Sequence, residues 1–523
     1  MKSSFNPSTA LGATIESSEI SDSSAAGREI LTAAGHTAQR AALSLTPTSS
    51  GGSATIYVDK RSQATDTRTG LSAYDPSKPF LTIAAAIAAA SAGDTISIGP
   101  GTFDESNLTL NGKNLCLNGT TISKTDSTTY PIIIHSSGTS GIYGSGLIKA
   151  TSTGSSNTVK TVTCSSGYLF IAPTVDVQVN STNTTASAPS SSQSVAIEVS
   201  GGTCKANGTN IYNGTAVRVS GGTWYGLAIS DASISNNSNQ ALYISSGTAF
   251  GNAVVTQGSS SKNNYAAVLA GGRMHGDAVC LVSNSGYPGY AVYYTAGATF
   301  EGRAVCGGSY GGYGAYFGNS FGTAYFFGDA VSEAGDSNGY GIYAGMASGT
   351  ANILGNASGG GYGAYFSSGT VTMRGNAYGT GSSATAGLYL NGASTTFYGD
   401  AICTTASSGS GVFTSSSSGT STLHIGRADG GSSGNAVSNS ASSCTVHLSG
   451  RYRGAKYAGG QTCAVHNGGG TISLNGSIII STSSYAVNNA SGTVYGNGSR
   501  GKGITSVSTG TITGTLTNDT TVG

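Results

Sequence analysis

The sequence predicts an all-β fold, a solenoid of stacked coils of about 24 residues each. The first observation is a repeated phrase: an apolar residue, one further residue, Gly, a polar residue and Ala. It recurs every 20 to 27 residues, a period typical of repeat architectures. The second observation is that residues around the phrase alternate between apolar and polar, as strand residues do. The glycines of the phrase are Gly251, Gly276, Gly302, Gly328, Gly355, Gly375, Gly399 and Gly426.

The composition agrees with a packed repeat fold. Of 523 residues, 82 are Gly, 28 are Tyr and only 9% are charged, whereas disordered chains carry high net charge and few aromatic residues. A net charge of +1 argues against a nucleic-acid binder that phosphate attracts. There is no run of about 18 apolar residues and no apolar segment at the N-terminus. We therefore expect neither membrane insertion nor a secretory signal.

The first 53 residues differ from the rest and predict a separate N-terminal segment. Within it, residues 21–45 are rich in Ala and begin with capping residues such as Asp22, which predicts two short helices. Such helices bury little surface alone, so we expect them to pack against copies of themselves or another protein. Residues 46–53 have the composition of a linker.

The remaining chain divides into an entry, a repeat region and an end. Residues 54–125 begin with a strand at Ile56 and contain an apolar helix over 79–92. Residues 126–498 hold the repeated coils, and residues 499–523 predict a final coil or a cap.

Alignment of the coils on the Gly of the phrase predicts which side chains face the core. The residue two positions before the Gly is apolar in nearly every coil, and strand side chains alternate between faces. We therefore expect this residue inside and the polar residue after the Gly outside, stacked coil upon coil. The inward column is Ala249, Met274, Phe300, Phe326, Ile353, Met373, Phe397 and His424; the outward column is Asn252, Asp277, Arg303, Asp329, Asn356, Asn376, Asp400 and Arg427.

The cysteines predict core filling rather than metal binding. Eight are present, without a CxxC pair, which argues against a zinc knuckle and a redox motif. Cys280, Cys306 and Cys403 take the same place in three coils. Buried thiols behave as small apolar groups, and a disulfide between stacked neighbours is the alternative. We expect no metal site and no cofactor.

Asp277 and Asp329 are weak candidates for catalysis. They should lie two coils, about 9.6 Å, apart, at the upper edge of the roughly 6.5–9.5 Å used by inverting glycosidases. However, Arg303 lies between them and would lower both pKa values, whereas a general acid needs one raised. A surface ion-pair ladder is the favoured interpretation, and whether the chain is an enzyme stays open with the balance against it.

Two histidines, His424 and His447, are 23 residues apart and could stack in neighbouring coils. Because His424 falls in the inward column, we expect a buried imidazole rather than a metal ligand, and zinc requires three or four ligands.

Tyrosine repeats as a Y-x-x-Y phrase in four successive coils. Three residues apart in a regular strand would place the two rings on opposite faces, so we expect one tyrosine of each pair at a bend. A tyrosine ring has an apolar face and a polar hydroxyl, which suits stacking against sugars. The alternative is an aromatic ladder buried against a loop or a neighbouring subunit. The candidate glycan-binding residues are Tyr290, Tyr293, Tyr313, Tyr316, Tyr340, Tyr343, Tyr362 and Tyr365.

Two resemblances add to these expectations. The run IYVD, then SKPFLTIAAAIAAASAGDTISIGPGTF, then strands separated by NG resembles the entry to a right-handed parallel β-helix of the pectate-lyase-like superfamily. That resemblance implies that the helix over 79–92 caps the N-terminal end of the solenoid. The upstream run ISDSSAAGREILTAAGHTAQRAALSL resembles a segment near the N-termini of bacteriophage tail-fibre and tailspike proteins.

These resemblances imply a phage virion appendage made in the host cytoplasm. Residues 1–50 would attach to other virion proteins, and the β-helix, as a homotrimer, would contact host surface polysaccharide. A polysaccharide depolymerase, either a glycoside hydrolase or a lyase on the same scaffold, is the second expectation. A bacterial surface adhesin is the third, and the absence of an export signal disfavours it.

Overall fold

A computed structural model of the chain is a parallel β-solenoid, which confirms the predicted fold class. Strands make up 66% of it and helix 2%. Every strand pairing among the described residues is parallel, and most stacked strands pair without a break in register, as Ala278–Cys280 do with Ala304–Cys306. The structure describes residues 54–518 with gaps at 61–74, 127–130, 154–158, 182–193, 232–238, 258–261, 283–286, 309, 319–321, 335–336, 404–407, 416–418, 432, 455–462, 476–477, 497–498, 508–509 and 515. The predicted helices of residues 21–45 lie outside the described residues.

The strands form three columns, named here faces A, B and C. Face A contains β4 (Leu108–Thr109), β6 (Ile133–His135), β8 (Lys160–Cys164), β11 (Val195–Val199), β16 (Asn264–Leu269), β19 (Gly289–Tyr294), β22 (Gly312–Phe317), β29 (Ala386–Leu390), β31 (Ser410–Thr414), β33 (Val437–Asn439) and β35 (Cys463–Asn467). Face B contains β1 (Thr55–Val58), β2 (Thr95–Ile98), β9 (Tyr168–Ile171), β12 (Thr203–Lys205), β17 (Arg273–His275), β20 (Thr299–Glu301), β23 (Thr323–Phe327), β36 (Thr471–Leu474), β38 (Thr493–Tyr495) and β40 (Thr511–Thr513).

Face C and the strands that turn corners complete the coils. Face C contains β3 (Gly101–Asp104), β10 (Val175–Ser181), β13 (Gly208–Asn210), β18 (Ala278–Cys280), β21 (Ala304–Cys306), β24 (Ala330–Ser332), β26 (Ala357–Gly359), β28 (Ala377–Gly379) and β41 (Leu516–Asn518). Strands that continue from one face onto the next are β5 (Asn114–Asp126), β7 (Thr139–Ser152), β14 (Thr215–Asp231), β15 (Asn239–Gln257), β25 (Tyr340–Leu354), β27 (Tyr362–Arg374), β30 (Ser394–Ile402), β32 (Ser421–Asp429), β34 (Cys444–Gly454), β37 (Ile478–Asn489) and β39 (Ser499–Val507).

The Gly of the repeated phrase makes the corner between faces B and C. Gly251 and Gly328 have φ values of +154° and +136°, which L side chains rarely adopt. A Cβ on Gly328 would also lie 1.8 Å from the carbonyl oxygen of Gly302 in the preceding coil. The phrase therefore needs glycine both for the turn and for the close approach of stacked backbones.

The predicted inward column is the core of face B. Met274, Phe300, Phe326 and Phe397 are fully buried, and the rings of Phe300 and Phe326 stack with centroids 5.2 Å apart. Burial of such side chains contributes about 1.5–3 kcal/mol each, so this column supplies much of the stability of a coil.

The assignment of His424 to this column is wrong. The pairing shifts by one residue between β30 and β32, so Phe397 lies opposite Leu423 and Tyr398 opposite His424. Leu423 is therefore buried and His424 points outward, half-buried. The extra residue at the corner, near Gly426, is not visible from the spacing of the glycines alone.

The N-terminal helix is shorter than the sequence predicts and packs on the first strands. It is α1, Ile83–Ala89, and it contacts β1, β2 and β4 through buried Ile83, Ala86 and Ile87. The Thr82 hydroxyl accepts from the Ala85 N–H. The Glu105 carboxylate accepts from the N–H groups of Ile83 and Ala84 at 2.9 and 2.8 Å. A carboxylate at this end accepts hydrogen bonds from N–H groups that have no partner within the helix, and it interacts favourably with the positive end of the helix dipole.

Buried polar side chains on face A form a second internal ladder. The Asn439 side-chain N–H donates to the Asn467 oxygen at 3.1 Å, and Asn467 donates in the same way to Asn489 at 2.9 Å. Each amide also donates to a backbone carbonyl, as Asn439 does to Gly469. Buried amides are tolerated because their hydrogen bonds are made within the stack.

Candidate ligand-binding faces

The eight candidate tyrosines form two stacked columns on face A. Within each column, ring centroids are 4.9 to 5.2 Å apart and the planes differ by at most 8°. The two columns meet edge to face, with centroids 5.0 to 5.5 Å apart. The first column is Tyr290, Tyr313, Tyr340 and Tyr362; the second is Tyr293, Tyr316, Tyr343 and Tyr365.

Both tyrosines of a pair lie outside the main core because the strand bends between them. In Tyr313–Tyr316 the two central residues, Gly314 and Ala315, are both buried. A Cβ on Gly314 would lie 2.6 Å from the backbone nitrogen of Val331 on face C, so the backbone itself reaches the opposite wall. Two consecutive inward residues break the alternation. The bend therefore falls between the tyrosines and places both rings on one side.

Of the eight tyrosines, Tyr290 is buried and the other seven are half-buried. Tyr290 is only 7% exposed and belongs to an apolar cluster separate from the main core. Each ring face contacts the ring above or below, so few faces remain for a sugar. The Tyr343 hydroxyl accepts from the Ser367 hydroxyl at 3.2 Å, and the Tyr365 hydroxyl accepts from the Asn391 amide at 3.0 Å. Glycan contact by these residues stays a prediction, and it would have to use edges and hydroxyls.

Burial also changes the acid–base chemistry of these phenols. It raises the pKa of Tyr316 to about 12, and it raises the pKa values of Tyr290 and Tyr313 further. Neighbouring phenols add to the increase, since two phenolates at stacking distance would repel each other. Tyr290, Tyr313 and Tyr316 therefore remain neutral at any physiological pH.

At its N-terminal end the second tyrosine column continues into charged residues. The register on face A runs from Tyr243 to Arg218 and Glu198. The Arg218 guanidinium lies 3.4 Å from Glu198, which also pairs with Lys160. Arg218 is buried, and this burial lowers its pKa while Glu198 opposes the change. The cluster is a partly desolvated ion-pair network that precedes the aromatic surface.

Face B carries the exposed aromatic surface, which the sequence reasoning missed. The residue directly before the Gly of the phrase points outward, in register from coil to coil. Tyr225 is 40% exposed, Phe250 37% and Leu354 54%, whereas Tyr290 of face A is 7% exposed. This set, named here the face-B column, is Tyr225, Phe250, His275, Glu301, Phe327, Leu354, Arg374 and Tyr398.

The face-B column is ordered by stacking and by charge. Phe250 stacks on Tyr225 at 5.0 Å and on His275 at 4.8 Å. Further along, the Arg374 guanidinium lies 4.9 Å from the centroid of the Tyr398 ring, which stacks on His424 at 4.6 Å. Two residues earlier on the same strands a second outward column is rich in threonine, including Thr223, Thr248 and Thr299. Apolar rings beside hydroxyl groups suit a ligand with both kinds of surface.

Face B also holds a histidine–carboxylate pair. The His275 Nδ1 lies 2.7 Å from one oxygen of Glu301, and Arg273 pairs with the other. The Phe250 ring covers one face of the imidazole. A carboxylate on Nδ1 fixes the orientation of an imidazole and supports proton transfer at the other nitrogen. Sequence reasoning passed over both residues because neither belongs to a recurring pattern.

The outward polar column lies at the corner beside face B and is joined by hydrogen bonds to the backbone. The Asn252 side-chain oxygen accepts from the Asp277 N–H at 2.9 Å, and Asp277 accepts from the Arg303 N–H at 2.8 Å. Asp329 accepts from the Asn356 N–H at 3.1 Å. The same bonds link Asn356 to Asn376 and Asn376 to Asp400. This corner ladder gives both candidate carboxylates a structural role.

The two histidines named from the sequence stack on face B. The rings of His424 and His447 lie 5.0 Å apart in register, and burial together with His424 lowers the pKa of His447.

In the described residues no group of three or more His, Cys, Asp or Glu side chains could hold a metal ion. No helix among those residues is long and apolar enough to cross a membrane.

Comparison with known proteins gives no family. No family model matches the chain, no curated protein matches it, and no solved structure matches it. The fold and its outer faces are therefore the basis for any functional conclusion.

Proposed function

We propose that this chain is the rigid, receptor-contacting part of a phage virion appendage, a tail fibre or tailspike-like protein, that binds host surface glycan. The observation that supports this most is the face-B column, in which the side chains of Tyr225, Phe250, Leu354, Arg374 and Tyr398 are exposed on the outside of the solenoid. A linear polymer lying along the solenoid would meet one outward side chain of this column about every 4.8 Å, and these side chains are aromatic and exposed at Tyr225, Phe250 and Tyr398. Sugar rings stack on aromatic rings and hydrogen-bond to hydroxyls, and face B offers both.

The rest of the proposal concerns assembly and place. Residues 1–50, which include the run at 20–45 that resembles a segment of tail-fibre and tailspike proteins, attach the protein to other virion proteins. Three copies assemble into a homotrimer, and the protein reaches the virion from the host cytoplasm. Light scattering of the purified chain tests the trimer. Immuno-electron microscopy of virions tests the location, and virions without label would contradict it.

A binding experiment tests the role of face B. The purified chain is titrated against immobilised host polysaccharide, and the double substitution Tyr225→Ala with Phe250→Ala is compared with wild type. Two lost stacking contacts at about 0.7 kcal/mol each predict a roughly tenfold weaker Kd. Tyr310 is 50% exposed and lies between β21 and β22, off face B. Tyr310→Ala is therefore the matched control and should bind like wild type. Equal binding by all three proteins would remove face B from the proposal.

A polysaccharide depolymerase is the second candidate, and the His275–Glu301 pair is the observation that favours it. A half-buried imidazole held by a carboxylate beside an aromatic ring could move a proton on a bound sugar. The test is reducing-sugar release from host capsule or lipopolysaccharide by wild type, His275→Asn and Asp277→Asn. Activity lost only in His275→Asn supports this candidate. No release by wild type excludes it for that polysaccharide.

A further inference from the structure

Two buried thiols meet in the middle of the solenoid. Cys280 ends β18 and Cys306 ends β21, and they are direct Cα partners in the register of face C. Both side chains are fully buried, and both are free thiols. Directly opposed residues in neighbouring parallel strands have Cα atoms about 4.8 Å apart. Disulfides are found at Cα separations of roughly 4.4–6.8 Å, so the backbone already has a compatible spacing.

The two sulfurs also lie beside the same residue of face A. A Cβ on Gly289 of face A would lie 2.9 Å from the Cys280 Sγ and 3.0 Å from the Cys306 Sγ, so both sulfurs converge above the same glycine. The Cys280 thiol donates to the Val282 carbonyl oxygen at 3.3 Å and the Cys306 thiol to the Gly307 carbonyl oxygen at 3.6 Å. The interaction between the two neighbouring thiols lowers the pKa of Cys280 and raises that of Cys306. Gly289 and Gly312 provide the room that two sulfurs need, because a Cβ on Gly312 would lie 2.5 Å from Cys306.

We propose that Cys280 and Cys306 form a covalent cross-link between two successive coils when the protein meets peroxide. The Cys280 thiolate attacks hydrogen peroxide, the O–O bond breaks, and a sulfenic acid and hydroxide form. The Cys306 thiol then attacks the Cys280 sulfur, the S–O bond breaks and an S–S bond forms. Overall, two thiols are oxidised by two electrons, one peroxide is reduced, and two waters leave. Peroxide is small enough to reach a buried site after a brief local opening.

The cross-link would matter outside a reducing cytoplasm. Disulfides persist in oxidising surroundings and are reversed inside cells. A bond between coils closes a loop of 25 intervening residues, counted from Cys280 to Cys306 in the sequence. Closing a loop removes conformational freedom from the unfolded chain. The pair would therefore tie two coils together without changing the fold.

The sequence provides a direct assay. Trypsin cleaves after Arg273, Arg303 and Arg374, so the two cysteines fall on the adjacent peptides 274–303 and 304–374. The full chain is treated with hydrogen peroxide, digested without reductant and analysed by mass spectrometry. We expect the two peptides as one species, two hydrogens lighter than their sum, which separates on reduction. Recovery of Cys280 and Cys306 on unlinked peptides, while the partly exposed Cys116 is oxidised, would overturn the proposal.

The chain offers matched variants. In the next coil, Ser332 stands in register with Cys306 and is also buried, so Cys306→Ser introduces a residue that this place in the coil already accepts. This variant should fold, give no cross-linked species and show no change in Tm with peroxide, whereas oxidised wild type should melt at a higher temperature. Cys403 occupies the same place in a later coil, beside Ala384, and Cys403→Ser should cross-link like wild type. Cross-linking that survives Cys306→Ser would contradict the assigned pair.

Discussion

Faces A and B are both lined with aromatic side chains on successive coils, yet they differ in what those side chains can do. On face A the strand bends at Gly314 and Ala315, and the paired tyrosines cover each other. On face B one residue per coil points outward before the corner glycine, and where it is aromatic, as at Tyr225 and Phe250, it can remain exposed. An aromatic ladder thus serves stability when two columns interlock, and it offers a binding surface when one column stands alone.

The largest expected effect concerns the stability of the two faces. Tyr290→Ala removes a buried ring that stacks on Tyr265 and Tyr313 and meets Tyr293 edge to face. By analogy with other buried aromatic residues, the loss should be about 3–5 kcal/mol. Phe250→Ala, on the exposed column, should cost about 1 kcal/mol or less. Urea unfolding of both variants measures the difference. Equal losses would mean that the two ladders contribute alike to stability.

The second prediction separates the faces by pH. The raised pKa values of Tyr290, Tyr313 and Tyr316 mean that these phenols stay protonated in the folded chain after they would ionise in the unfolded chain. Their contribution is complete below about pH 10, the value for a free tyrosine, and is lost as pH rises toward the folded pKa. Above pH 10 each such phenol should favour unfolding by up to about 1.4 kcal/mol per pH unit.

Alkaline unfolding followed by circular dichroism, with phenolate absorbance recorded in parallel, measures this effect. Tyr290→Phe removes one ionising group but keeps the ring, so it should shift the midpoint of alkaline unfolding to higher pH. An unchanged midpoint would show that the buried phenols do not set the alkaline limit.

The smallest expected effect concerns the corner ladder, the hydrogen bonds that join successive coils beside face B. The corner ladder joins several pairs of successive coils through a side-chain oxygen and a backbone N–H, as from Asp277 to Arg303. Asp277→Ala should therefore cost about 1 kcal/mol, the usual contribution of one such hydrogen bond. Asp277→Asn keeps the oxygen and removes the charge, so its loss should be near zero. A ladder built on ion pairs would instead make both variants equally unstable, and thermal unfolding distinguishes the two.

Much of the fold was predictable because its constraints are local. A glycine with positive φ at each corner, as at Gly251, leaves a sequence mark, and strand alternation then assigned Met274 and Phe300 to the core. The alternation failed where a residue is inserted, as near Gly426, and it mispredicted His424. The spacing of the tyrosines indicated a bend. That both rings share one side follows from the burial of Gly314 and Ala315 between them, which only the structure shows.

The candidate site was harder to predict because exposure depends on neighbours from other coils. The residue before each corner glycine changes from Tyr to His to Glu to Leu, so no repeat marks it. Its outward direction follows from the same alternation that places the core, and this was the available signal. On face C an outward column does repeat in the sequence, as Val279, Val305 and Val331, yet it is half-buried. A regular outward position is therefore not always an exposed one.

The corner ladder has a direction, and that direction coincides with the order of synthesis. The oxygen of Asn252 lies in the earlier coil and the N–H of Asp277 in the later one; Asn356 and Asn376 follow the same rule. If the coils fold in the order of synthesis, the coils that contain Asp277 and Asn376 each find the acceptor of the preceding coil already in place. Assembly of this kind resembles growth on a template, in which each finished turn specifies the register of the next.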